Sequence, residues 1–241
     1  KLQWNLNPKQ WTLEKPTGHV SRSGITVLPY LLRKWKIALY VSLGLWFLAT
    51  CTTMIQSFSA ANEFDASRTM ADEYKAFLIA ESSANWESIS LGLWAISGIL
   101  FLCFLWRATK NLISAGIATK RGAGWSVGGW FIPIGWFWIP YQTVKELIET
   151  RPNVSDPYGP DDLSNKTKGY VRFWLGIWIA SWATRIFSRV YTDALLENAK
   201  FEDLGRMWDF VGFVYLIHAV LIVAYFIIIS AISERQENKR I

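Results

Sequence analysis

Residues Phe210–Ile232 read FVGFVYLIHAVLIVAYFIIISAI, an apolar stretch in which His218 and Ser230 stand out as polar interruptions. A helix on the surface of a soluble protein shows polar residues every few positions, so that one face stays wet, and this stretch has no such face. A hydrocarbon core of about 30 Å takes roughly 20 helical residues at about 1.5 Å each, which is close to the length of this run. Three more runs of similar character precede it: Ile37 to Phe58, Ile89 to Trp106 and Phe173 to Tyr191. The composition agrees, with 51% hydrophobic residues and 15 Trp among 241 residues, above the soluble average. The first run begins too far from Lys1, and is too long, to be a cleaved signal peptide.

The net charge of +6 could point to nucleic acid, so its distribution decides. Lys1–Lys36 holds seven Lys/Arg and one acid; Ser59–Ser88 holds two and six; Arg107–Arg172 nine and five; Thr192–Asp209 two and five; and the tail after Ile232 three and two. Basic and acidic segments exchange at each apolar run. That is the positive-inside pattern for four crossings with both termini cytoplasmic, and no nucleic-acid surface alternates in this way. Cys51 and Cys103 then lie at different depths, more than about 10 Å apart by helical rise, which is too far for a disulfide. The Asn-x-Ser/Thr matches at Asn153 and Asn165 fall on the cytoplasmic side and read as chance.

The predicted fold is an all-α integral membrane protein with four transmembrane helices arranged as two hairpins. Residues 1–30 form an extended cytoplasmic lead-in that follows something else, since Lys1 is not Met. Residues 31–106 are the first transmembrane hairpin with an acidic outer loop, in which Met70–Ala80 suggests a short amphipathic helix. Residues 107–170 are a cytoplasmic connection, 171–232 the second hairpin, and 233–241 a charged cytoplasmic tail. Leu43-Gly44-Leu45-Trp46 matches Leu175-Gly176-Ile177-Trp178, which suggests a repeat of the hairpin, although Leu91-Gly92-Leu93-Trp94 carries the same letters in a span of opposite direction.

Within the connection, residues 125–140 are apolar but short, and broken by Gly128, Gly129, Pro133 and Gly135. Straight helix of that length reaches only about 24 Å, and a crossing here would upset the charge alternation downstream. The segment is therefore predicted to be interfacial or re-entrant. Trp125, Trp130, Pro133, Trp136, Trp138 and Pro140 mark it, the indoles being suited to the membrane–water boundary.

Trp106-Arg107-Ala108 with Asn111, then Gly124-Trp125, Gly129-Trp130-Phe131-Ile132-Pro133-Ile134, Pro140-Tyr141-Gln142, Glu146 and the closing Ile232-Ser233-Glu234-Arg235-Gln236 resemble a bacterial multi-pass membrane family called domain of unknown function 4328. The resemblance extends less specifically from about Leu31 to Gln236. It implies the membrane topology above and a bacterial source, hence the bacterial cytoplasmic membrane, and it supplies no activity.

Polar residues inside the spans mark candidate sites. Arg185 lies roughly 10 Å inside the third span, and His218 at a comparable depth in the fourth. Charges at such depth face a partner or water. Trp178, Trp182, Arg185 and Arg189 recur at helical spacing and form one face, a candidate holder of a quinone, a lipid head group or a partner carboxylate. The competing reading has the two arginines reaching to lipid phosphates or pairing with Asp193 or Asp209. Arg107, Lys110, Lys120 and Arg121 are candidates for contact with anionic lipid on the cytoplasmic side. Gly176, Ala180 and Thr184 give a small-residue stripe that predicts close packing against another span or another copy.

No constellation of catalytic residues emerges. With His19 and His218 the only histidines, bis-histidine haem ligation within the spans is excluded, and no zinc hydrolase motif occurs. Ser90, Ser97 and Ser181 sit in no nucleophile motif, and the glycines of 122–129 form no phosphate loop. The expectation is a non-enzymatic membrane protein with no metal and no cofactor, a lipid or quinone being a candidate ligand. Its expected partners are membrane lipids and other membrane subunits or copies of itself. The favoured role is a structural or accessory subunit of a larger complex or a self-assembling scaffold; the alternative is a channel or carrier for a small solute that uses segment 125–140.

Overall fold

The computed structural model describes residues 32–67, 69–132, 138–150, 164–196 and 201–237, and every regular element among them is a helix. In chain order these are α1 (Arg33–Ala66), α2 (Met70–Ser114), α3 (Ala123–Gly128), α4 (Trp138–Glu149), α5 (Ser164–Leu196) and α6 (Phe201–Glu237). Three of them, α1, α2 and α6, are long and apolar enough to cross a membrane. α5, at 33 residues, is long enough but less apolar, because its span is rich in Trp and Ser and carries Arg185 and Arg189. The lead-in and the last four residues, together with Pro133 and Trp136, lie outside the described residues, as does Asn153.

The acidic segment after the first run is helix almost throughout, not loop. α1 continues to Ala66 and α2 begins at Met70, so the expected short helix at Met70–Ala80 is the first part of one 45-residue helix. Thr69 sets that start. Its side chain accepts the amide of Asp72 while the Asp72 carboxylate accepts the amide of Thr69, a reciprocal capping box. At about 1.5 Å per residue α1 is about 51 Å long, well beyond a hydrocarbon core of about 30 Å, so the acidic end of the hairpin projects past it. There Ala60, Phe64, Ala76 and Ala80 form a small second core with Leu204 and Trp208 of α6.

α1 lies between α2 and α6 and packs closely on both, antiparallel to each, whereas α5 packs on α6 and makes no close backbone approach to α1 or α2. The helices are thus ordered α2, α1, α6, α5. The close contact of α1 with α2 follows from small side chains at helical spacing: Ala49, Thr53, Ser57 and Ala60 of α1 face Ala76, Ala80, Ser83 and Ser90 of α2, all buried. Small residues let backbones approach without relying on a hydrophobic drive, which lipid does not supply. Hydroxyls bridge the seam, Ser57 to Ser83 at 3.0 Å and Thr50 to Ser90 at 3.3 Å, and Trp46 Nε1 donates to Ser90 Oγ at 3.2 Å. On the other flank, Gly212 of α6 leaves room for the Phe58 ring, which meets Phe213 edge-on at 5.5 Å.

The stripe of Gly176, Ala180 and Thr184 does not serve this purpose within the chain. A side chain added at Gly176 would meet nothing within 4 Å, and the Thr184 hydroxyl bonds the carbonyls of Ala180 and Ser181 in its own helix.

Candidate functional site: an intramembrane cleft and its cap

Because the backbone of α5 comes close to α6 but to neither α1 nor α2, a cleft of about 420 Å³ separates α5 from α2, backed by α1 and α6. Its walls are mostly apolar and rich in aromatic rings: Trp46 from α1, Trp94 and Phe101 from α2, Trp178 and Trp182 from α5, and Tyr225 from α6. The volume falls within the range of small-molecule sites, about 300–1,000 Å³, and such sites combine apolar walls with a few placed polar groups.

Those polar groups lie toward the acidic end. The Arg185 guanidinium donates through Nε to His218 Nε2 at 2.8 Å and lies over the Trp94 ring at 5.7 Å. His218 Nδ1 is 2.7 Å from the Val214 carbonyl, which can only accept, so that nitrogen carries the ring proton and Nε2 is left as the acceptor for Arg185. Nearly one helical turn deeper than Trp94, Ser97 is 3% exposed and its hydroxyl has no hydrogen-bond partner. Nearby, the Tyr215 hydroxyl bonds the Glu87 carboxylate across from α6 to α2.

Of the residues singled out from sequence, Trp178, Trp182, Arg185 and His218 line this one cleft. Arg189 shares the helix but is exposed and stands outside the lining. Trp94 and Ser97, which complete the polar end, lie on α2 and carry no motif. Their spacing of three, with Phe101 four further on, marks one helix face but does not say what that face meets.

The basic end is closed. Trp130, expected at the membrane boundary, instead turns inward and meets Phe101 at 5.7 Å, Trp178 at 5.8 Å and Trp174 at 6.2 Å in edge-on contacts. It forms the floor of the cleft. Gly129 makes this possible, because a side chain there would collide with Ile139 at the start of α4. Pro140 sits in the first turn of α4, where a missing amide costs no helical bond. Trp125 and Trp138 do face outward, at 50% and 61% exposure, as expected of boundary residues.

At this end polar bonds tie α6 to α2 and tie the cap, residues 117–149, to itself. Asn111 Nδ2 donates to Gln236 Oε1 at 3.1 Å, and Gln236 Nε2 donates to the Ala108 carbonyl at 3.1 Å, both side chains being buried. Arg121 donates to Gln142 Oε1, and the Lys120 amide to Glu146 Oε1 at 2.8 Å. Arg107 and Lys110 lie over the Trp106 ring at 5.1 and 5.6 Å, and Arg107 lies over Trp35 at 6.0 Å. The described residues among those quoted above for the family resemblance therefore gather at one end of the bundle.

Residues 81–234 match the family described as Domain of unknown function (DUF4328). The chain belongs to this family. The match begins partway along α2, so α1 lies outside it, a shorter extent than the 31–236 expected from sequence. No match was found among curated proteins or among solved structures. Among the described residues no group of three or more His, Cys, Asp or Glu side chains could hold a metal ion, and Cys51 and Cys103 are free thiols.

Proposed function

We propose that this DUF4328 protein is a non-catalytic, four-crossing protein of the bacterial cytoplasmic membrane that holds an amphipathic, membrane-soluble molecule between α2 and α5. The observation that carries the reading is the cleft itself: aromatic walls along its length, a closed floor at Trp130, and arginine, histidine and serine gathered at the opposite end. A fourth crossing is supported by the course of α5. It runs antiparallel beside α6 from Trp174, near the floor, to Phe187 and Tyr191, which meet Phe210 at 5.5 and 5.1 Å. The charge alternation supports cytoplasmic termini and places the cap on the cytoplasmic side. The cations over Trp35, Trp106 and Tyr40 at that end suit a lipid head-group boundary.

A solute channel is less well supported, since Trp130 blocks the cleft toward the cap. Native mass measurement on protein extracted with its surrounding lipid tests the reading. The expected result is the chain carrying a small amphiphile that survives removal of bulk lipid. Recovery in fixed stoichiometry with a larger complex, and with no retained amphiphile, would favour an accessory subunit and end the ligand-holding reading. For topology, single cysteines at Ser155 and Ser67, introduced after replacing Cys51 and Cys103, should label from inside and outside respectively.

A further inference from the structure

We infer that the molecule held in the cleft is a single-chain anionic amphiphile, its oxyanion head group clamped by Arg185 and Ser97 and its tail running down toward Trp130. The inference rests on the ligand-holding reading above and specifies its chemistry.

The charge is the first argument. Among the described residues no carboxylate lies within ion-pair distance of Arg185, and its one side-chain hydrogen bond is the Nε donation to His218. A guanidinium has five donors, so with Nε engaged the terminal Nη fork keeps four, in the geometry that grips a carboxylate or phosphate with two parallel bonds. An unneutralised arginine among apolar walls at membrane depth is costly, and an anionic head group removes that cost where a neutral one does not.

Position is the second argument. His218 and Trp94 hold the guanidinium from its edge and its face, so its fork is oriented before any ligand arrives. Ser97 lies on the same face of α2 as Trp94, about 4.5 Å deeper by helical rise, and its buried hydroxyl lacks a partner. It can donate to a second head-group oxygen. Below it the lining is apolar from Phe101 to Ile229, and from His218 to Ile229 the cleft runs about 16 Å along α6, a length suited to an alkyl tail. A fatty acid and a single-chain phosphate ester share this chemistry.

The test adds oleic acid, hexadecyl phosphate or uncharged oleyl alcohol to the delipidated full chain in neutral detergent and counts bound adducts by native mass spectrometry. The acid or the phosphate should bind at least tenfold tighter than the alcohol, and whichever is tighter identifies the head group. Arg185→Gln should remove that preference while leaving alcohol binding in place, and Arg185→Lys should restore part of it. Ser97→Ala, which keeps the charge and is a smaller perturbation of the helix, should weaken acid binding a few-fold. Arg189→Gln, outside the cleft, serves as the folded control. Equal binding of acid, phosphate and alcohol by the unaltered chain would overturn the anionic assignment and leave an apolar ligand site. Binding of none of the three would overturn the ligand-holding reading as well.

Discussion

The two sides of α2 are built on opposite principles. Where α1 meets α2, alanines, serines and threonines face each other, the helices close up and hydroxyls bond across the seam. Where α5 stands opposite α2, the facing residues are Trp178, Trp182 and Arg185 against Trp94 and Phe101, and the helices stay apart. In a membrane, helices associate through close contact and polar bonding, so small residues make a seam and bulky ones make a wall. The comparison teaches that the tryptophans are lining and the serines are adhesive. Letter-for-letter similarity between Leu43–Trp46 and Leu175–Trp178 hides this difference. Both tryptophans are buried and line the cleft, but Trp46 donates to Ser90 on α2, whereas Trp178 stacks on Trp174 of its own helix at 6.0 Å.

The contrast can be broken most forcefully at Gly212, on the closed side of α1. A Cβ there would come within 2.7 Å of the Phe58 ring, so Gly212→Leu should overpack the α1–α6 contact and lower stability by about 3 kcal/mol, read by thermal or SDS-induced unfolding in detergent. Between α2 and α6, Asn111→Ala removes the donor to buried Gln236 and should cost about 2 kcal/mol. An unchanged unfolding midpoint would mean that this bond does not hold the basic ends of α2 and α6 together. On the open side the sign reverses. Gly176→Ala meets no neighbour and replaces a poor helix former, so it should stabilise by about 0.5–1 kcal/mol; a loss instead would show that the stripe on α5 is covered by another copy or partner. The finest test is a double-mutant cycle of Ser57→Ala with Ser83→Ala. Its coupling should be about 0.6 kcal/mol, typical of polar bonds between membrane helices, and no coupling would leave shape alone as the adhesive.

Much of the fold is legible in the sequence, for reasons that differ by element. Unbroken apolar runs reveal α1, α2 and α6 because lipid demands them. The helical extent of α1 and α2 beyond the apolar runs is harder to read, because acidic residues there suit an outer loop as well as a solvated helix. Yet Thr69 and Asp72 spell out a helix start that leaves almost no loop at all. The seam between α1 and α2 was also present, as Ala49, Thr53, Ser57 and Ala60 against Ala76, Ala80 and Ser83, and passed unnoticed because each residue is unremarkable alone. The stripe on α5 has the same letters and no partner within the chain. Small residues at helical spacing show that a helix can pack closely, without naming the helix it packs on.

For the site, depth alone brought Arg185 and His218 to the same level, and the structure joins them at 2.8 Å. Trp94, Ser97 and Trp130 could not have been assigned to that place, because they come from other elements brought there by the order α2, α1, α6, α5.

The sequence by itself determined that this is an all-helical chain with membrane-length apolar segments, a basic end and an acidic end, because hydropathy and charge act residue by residue against lipid and water. What only the tertiary structure decided is which helices touch and which do not. That depends on the sum of side-chain shapes along whole interfaces. It is why a cleft opens between two helices whose sequences, taken singly, give no sign of it.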